Sequence, residues 1–294
     1  MSNIFIELLE SGKPIILDGA MGTMLMEAGL TQGDPPEEWN VLYPERLEKI
    51  HSAYIQAGSQ LILTNSFGGT HFRLTMHGLQ ERVTELNKAA AINARTAADA
   101  SPHPVAVAGS VGPTGELFEP MGTLTFDDAK AAFAEQAAAL AAGGVDLFWI
   151  ETMSDLNEVK AAYEGIRSVS DLPISATMTF DTHGHTMMGV NPTKAIETFQ
   201  DLDFVVLGAN CGNGPDEIEE VISSMHAANP KIILVAKANA GLPKLVKGEV
   251  VYDGTPEIMA EYALRVHNLG ATLIGGCCGS TPDHIEAIAK ALHG

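Results

Sequence analysis

The chain has 294 residues, 46% hydrophobic and 18% charged, which suits one large core rather than a small domain. With 17 Lys and Arg against 37 Asp and Glu, the net charge is −20, so nucleic acid and anionic membrane are repelled over most of the surface and small molecules or a protein are the expected partners. The opening MSNIFIELLESGK lacks a basic segment followed by an apolar core, no stretch reaches the ~20 apolar residues of a membrane span, and three cysteines are too few for a disulfide framework. The expectation is therefore a cytoplasmic protein with free thiols or a thiol-bound metal.

Short apolar runs bounded by Gly, Pro or Asn alternate with amphipathic stretches along the whole chain. The first predicted strand is Pro14–Ala20, followed by an irregular stretch, Met21–Tyr43, and the helical pattern PERLEKIHSAYIQAG. Strand Gln60–Phe67 precedes the helix ERVTELNKAAAINARTAADA, and strand Pro104–Ser110 precedes a second irregular stretch, Val111–Thr125, and the helix FDDAKAAFAEQAAALAAGG. Strand Asp146–Thr152 leads to the helix DLNEVKAAYEGIRSV. Strand Pro173–Phe180 leads to DTHGHTMMG (Asp181–Gly189), which starts like a D-x-H-x-x-G corrinoid-binding pattern but has Thr186 in place of the glycine and is read as an exposed loop. Strands Phe204–Cys211, Lys231–Ala238 and Ala271–Cys277 follow, each with a helix behind it: PDEIEEVISSMHAAN, TPEIMAEYALRVHNLG and TPDHIEAIAKALHG. Eight such units, with no linker between them, predict an α/β fold: a (β/α)₈ TIM barrel, one domain over residues 1–294.

In such a barrel the catalytic face is the rim at the strand C-termini. Cys211 ends the sixth strand in LGANCGNGP, and Cys277 and Cys278 end the eighth in LIGGCCGSTP, so all three thiols of the chain reach that rim. Neighbouring strand residues point to opposite faces, so Cys277 and Cys278 share one ligand only if the backbone bends, which the flanking Gly275, Gly276 and Gly279 permit. A zinc ion on three thiolates keeps its fourth position open, the arrangement of a catalytic site. Each cysteine alone would more often be a small buried hydrophobe. A redox pair has less support, since there is no C-x-x-C.

Asp18 closes the first strand in IILDGAMGTM, where its carboxylate and the N–H groups of Gly19, Ala20 and Met21 can grip the ammonium and carboxylate of an amino acid. Glu151, ending the fourth strand in FWIETMSD, brings a second carboxylate to the rim. Turn capping and a structural ion pair are the plainer readings of these two acids. Trp39, Phe67, Phe118 and Phe126 either shape the site or pack. No nucleotide-binding glycine fingerprint follows a strand.

These motifs together resemble the homocysteine S-methyltransferase family: ILDGAMGT, LILTNSFGGT, GSVGPTGEL, GANCG and GGCCGSTPDHI match its landmarks in order over nearly the whole chain. The resemblance implies zinc on Cys211, Cys277 and Cys278, and homocysteine held near Asp18, Gly19, Ala20, Met21, Ser110, Glu151 and Asn210, with Glu151 counted with the three cysteines as catalytic. LTNSFGGTHFRLTMHGL and GSVGPTGELFEPMG look most like the homocysteine domain of cobalamin-dependent methionine synthase. Phe67-Gly68 and Glu151-Thr152 stand where animal betaine–homocysteine enzymes carry Phe-Tyr and Glu-Tyr, so two betaine-lining tyrosines are missing.

The expected activity is methyl transfer to homocysteine, forming methionine. With one barrel and no folate or cobalamin module, the expected donor is methylcobalamin on a separate corrinoid-binding protein; betaine or S-methylmethionine is the alternative. A non-catalytic homocysteine- or zinc-binding subunit is a rival, and so is a metal-free lyase or aldolase, for which Lys237 is the only strand-end lysine on offer.

Overall fold

Strand-forming runs that are apolar on both faces demand cover on both faces, and here they obtain it from a closed parallel barrel. The structure is a computed structural model describing residues 3–242, 244–246 and 249–294. Its strands are β1 (Ile15–Ile16), β2 (Leu61–Leu63), β3 (Ala106–Val111), β4 (Leu147–Met153), β5 (Ile174–Met178), β6 (Phe204–Cys211), β7 (Leu234–Ala238), the antiparallel hairpin β8 (Lys244–Val246) and β9 (Glu249–Val251), and β10 (Ala271–Gly276). Eight of them form one sheet in the order β1-β10-β7-β6-β5-β4-β3-β2. A parallel bridge from Leu17 to Leu61 joins β1 to β2 and closes the circle. The (β/α)₈ expectation is met.

Alternation along the strands divides the core in two. Ile15, Leu17, Leu61, Leu63, Ala106, Ala108, Leu147, Trp149, Val206, Val235 and Leu273 pack inside the barrel, with Phe5 of helix Ile4–Glu10. That helix lies at the strand N-termini, where Asn3 Nδ2 donates to the carbonyl of Asp146, 2.8 Å away. The opposite faces, including Ile16, Ile62, Val107, Phe148, Ile150 and Ile274, pack under the surrounding helices. Helix starts follow the sequence cues: the hydroxyl of Thr125 accepts from Asp128 N at 3.1 Å and the carboxylate of Asp155 from Asn157 N at 2.7 Å.

Several features differ from the expectation. The stretch Met21–Tyr43 is not irregular; it contains helix Met21–Glu27, a 3₁₀ turn Pro36–Glu38 and helix Trp39–Leu42. Tertiary bonds rather than periodicity hold the second part, since Asn40 Nδ2 donates to Asn65 O (2.7 Å) and Glu37 accepts from Gly68 N (2.7 Å). The first strand is shorter than Pro14–Ala20 because the chain turns at Asp18 into that first helix. Helices Ile4–Glu10 and Pro192–Phe199 and the β8–β9 hairpin have no counterpart in the sequence reading. Among the described residues no helix is long and apolar enough to cross a membrane.

Trp149 fills the barrel interior fully buried, and its indole N–H makes no hydrogen bond. Trp149→Ala should cost about 3–5 kcal/mol in urea unfolding, and Trp149→Phe, which forfeits no hydrogen bond, less than half of that. Equal losses would show that the indole nitrogen matters.

Candidate functional site

The three thiols meet because β6, β7 and β10 are neighbours in register. Cys211 pairs with Ala238, and Ala238 with Gly276, so the last residues of three strands lie at one level. Cys211 takes a left-handed backbone (φ 62°), a strained choice for a residue with a β-carbon. Cys277 N donates to Ala238 O (2.8 Å) and Ala240 N to Cys278 O (2.9 Å), which ties the bend after β10 to the end of β7. Ser280 N closes that bend onto Cys277 O at 3.1 Å. The two adjacent cysteines thereby face one point. The sulfurs of Cys211 and Cys277 are 2.8 Å apart, and all three lie within 4.8 Å of one another.

Asn210 sits fully buried beneath them. Its Nδ2 donates to Thr152 Oγ1 (2.8 Å), 3.4 Å from Cys211 Sγ and 3.7 Å from Cys277 Sγ, and its Oδ1 accepts from Thr152 N (2.9 Å) and Thr177 Oγ1 (2.6 Å). Three of the amide's hydrogen bonds therefore fix it to Thr152 and Thr177, leaving one N–H to face the sulfurs. The thiols share protons unequally. Hydrogen bonds from Cys211 and Cys277 hold Cys278 down to about 3, helped by Tyr252, while its bonds to Cys277 and Cys278 push Cys211 well up.

Across the mouth, Ser110 Oγ donates to Glu151 Oε1 at 2.5 Å. Ser110 is itself fixed, its N–H on Thr64 Oγ1 (2.9 Å) and its carbonyl accepting from Ser66 Oγ (2.8 Å). Burial pushes the Glu151 carboxyl up to about 7, against the downward pull of Lys237 and of the Ser110 hydrogen bond.

Asp18 is buried, with Oδ2 accepting from Leu63 N (2.7 Å) and Oδ1 from Lys237 Nζ (3.2 Å). Burial pushes its carboxyl upward too, opposed first by the Lys237 charge and then by the Leu63 N–H. For Lys237, burial pulls the ammonium down, but Asp18, Glu151 and Cys277 outweigh it and carry the pKa above the ordinary lysine value. An ammonium so held has no lone pair to offer a carbonyl, which argues against the Schiff-base reading of this lysine.

The turn after Asp18 is locked to the cysteine bend. Ala20 N donates to Ser280, 3.1 Å from Oγ and 3.3 Å from O, so it is not the free N–H expected of it, and the Tyr54 hydroxyl donates between Ala20 O (3.0 Å) and Ser280 O (3.1 Å). A β-carbon on Gly19 would stand 2.8 Å from Ser280 Oγ and 2.9 Å from Tyr54, so only glycine fits there. Met21 begins helix Met21–Glu27. In the Asp181–Gly189 loop most side chains are exposed or half-buried, but Thr186 is buried and donates to Ser154 O (2.7 Å), a structural use of the residue at the glycine position. Trp39 and Phe118 belong to the core, Phe126 packs against it, and Phe67 stays more than a third exposed. The sequence reading missed Thr64, Ser66, Tyr54, Thr152, Thr177 and Ser280. It met Lys237 only as a nucleophile, although a lysine inside the fully buried run LVAKA already signals a buried partner.

Comparison with known proteins agrees with this geometry. The family described as homocysteine S-methyltransferase matches residues 15–292. The chain belongs to the homocysteine S-methyltransferase family. Among relatives of this family member, the methionine synthase of Mycobacterium leprae is 34% identical over 292 residues, which cover 94% of this chain and 24% of that protein. The methionine synthase of Mycobacterium tuberculosis is 33% identical, covering 96% and 25%. The chain thus spans about a quarter of the length of these curated relatives. The crystal structure of the homocysteine methyltransferase MmuM from Escherichia coli in its metallated form superposes with a TM-score of 0.84 at 26% identity, covering 98% of this chain and 99% of that one.

The Glu151 carboxyl gives a pH test on metal-free protein. Its pKa is raised on folding, from 4.5 to about 7, so its proton stabilises the fold fully below 4.5, and that contribution is lost as pH rises through about 7. Glu151→Gln cannot ionise, so its melting temperature should climb relative to the unsubstituted protein between about pH 5 and pH 8. A difference independent of pH would contradict the raised carboxyl.

Proposed function

We propose that the chain is a zinc-dependent homocysteine S-methyltransferase that forms methionine in the cytoplasm, acting as the homocysteine-activating component of a split cobalamin-dependent methionine synthase. The observation that carries this reading is the convergence of the three thiols within 4.8 Å at the mouth of a barrel of this family. Zinc–sulfur bonds of about 2.3 Å in a tetrahedron set sulfurs about 3.8 Å apart, so these three residues fit the ion with small adjustments. All three cysteines are free, as a thiolate ligand set requires. Zinc, when bound, deprotonates an incoming thiol and leaves it nucleophilic at neutral pH.

The protein's own groups then have distinct tasks. Cys211, Cys277 and Cys278 hold the metal, and the remaining N–H of Asn210 faces the sulfurs of Cys211 and Cys277, fixing their aim. Asp18 and Glu151 receive the substrate ammonium, with Gly19, Ala20 and Met21 shaping the turn beside it. Ser110 holds Glu151 in place through its hydroxyl. Fixing the amino-acid end sets the direction of the sulfur, and orientation of this kind accounts for a large part of a methyl transfer's acceleration.

The likeness to methionine synthases favours methylcobalamin on a partner corrinoid protein as donor. A self-sufficient enzyme using betaine or S-methylmethionine is the second reading, favoured by the end-to-end match to the E. coli homocysteine methyltransferase. A panel of the three donors with zinc-loaded protein and homocysteine separates them: methionine from methylcobalamin alone supports the split enzyme, and methionine from betaine or S-methylmethionine the self-sufficient one. No methionine from any donor would leave a binding subunit.

Replacing Cys211, Cys277 or Cys278 singly by Ala should reduce zinc from about one ion per chain to near none and abolish turnover. A variant keeping both by metal analysis and methionine assay would remove its sulfur from the mechanism.

A further inference from the structure

Among the described residues Lys237 is the one buried Lys or Arg. It stands on β7 in register with Asn210 of β6 and Gly275 of β10, one step below the sulfur layer. Its Nζ is 3.2 Å from Asp18 Oδ1, and the side chains of the pair are 4% and 3% exposed. The titratable groups that act on it are Asp18 after β1, Glu151 from β4 and Cys277 after β10. One fixed cation thus touches the buried Asp18 carboxyl and is also acted on by the half-buried Glu151 carboxyl.

We propose that Lys237 is the positioning residue for the substrate's amino group: its ammonium holds Asp18 as a carboxylate and leaves Glu151 without a cation of its own, so that the mouth selects thiols carrying an ammonium of their own. This rests on the homocysteine reading above.

A buried carboxylate without a counter-charge takes up a proton instead. With Lys237 present, the lysine offsets one acid, and the second stays protonated until another cation arrives. The substrate ammonium is that cation. Asp18 has room for it, because Lys237 and Leu63 N–H occupy only one lone pair on each oxygen. Removing the lysine does not free a carboxylate for the substrate. Both acids then become neutral, and the ammonium must displace a proton from each.

The test compares two thiols by calorimetry on zinc-loaded protein: homocysteine and 4-mercaptobutanoate, which keeps the thiol and carboxylate but lacks the amine. A charge-assisted contact gives the unsubstituted protein a preference for homocysteine on the order of tenfold to hundredfold. In Lys237→Met and Lys237→Gln that preference should fall below about threefold, with zinc content and affinity for 4-mercaptobutanoate unchanged. Lys237→Gln keeps a donor for Asp18 and guards against loss of the fold. Lys237→Arg should restore the preference at least in part. A folded Met or Gln variant that keeps the full preference overturns the proposal. The unsubstituted protein supplies a reading that needs no variant. Because its ammonium displaces the proton of the acid left without a counter-charge, homocysteine should release up to about one proton more than 4-mercaptobutanoate on binding near neutral pH, and equal release overturns the proposal. If the unsubstituted protein binds neither thiol, the homocysteine reading itself fails, which is a different result from equal binding of both.

Discussion

The mouth of this barrel depends on the pairing of the first strand with the last. Ile15 and Ile16 of β1 lie in register with Leu273 and Ile274 of β10, and Leu17 continues to Leu61 of β2. That seam sets Asp18 beside the cysteine bend, and the Tyr54 hydroxyl and Ser280 knot the two turns together. Backbone hydrogen bonds fix the register, because a slip by one residue would turn every inward side chain outward. The inner layer is therefore sharply divided: apolar side chains up to the level of Trp149, then a polar ring of Asp18, Ser110, Asn210, Thr177 and Lys237.

That polar ring is expensive to bury and is almost fully satisfied internally. Asn210 links β4, β5 and β6 through Thr152 and Thr177, and Ser110 is held by Thr64 and Ser66 before it touches Glu151. A network in which each member has partners rigidifies its site. The groups left with capacity to spare are the acids and the sulfurs, the ones that a zwitterionic thiol and a soft cation would engage. The left-handed conformations of Thr152 and Cys211, both with φ 62°, occur on two strands joined by Asn210. Strain and hydrogen bonding at this site thus share one residue.

Much of this was legible in the sequence, and the exceptions have physical causes. Eight apolar runs predicted the strands because parallel strands buried on both faces leave a signal in composition alone. Cys211, Cys277 and Cys278 stood out because strand ends reach a common rim whatever the loops do. The segment Met21–Tyr43 was misread because its short helices are held by Asn40 and Glu37, whose partners Asn65 and Gly68 lie far along the chain. The Asp18–Lys237 pair spans 219 positions and exists only because the barrel closes. Local pattern gives no warning of such a contact beyond a charged residue in an apolar run.

The placement of the sulfurs on two separate strands carries a further consequence. One comes from β6 and two from the bend after β10, with β7 between them. An ion gripped by all three would act as a rivet across the last three strands of the barrel, and its binding free energy would belong to the finished fold alone. A chain not yet folded past β7 offers a single thiol, a poor ligand that exchanges readily. Metal capture would in that sense be a completeness check, made by coordination number, on whether the final strand has taken its place.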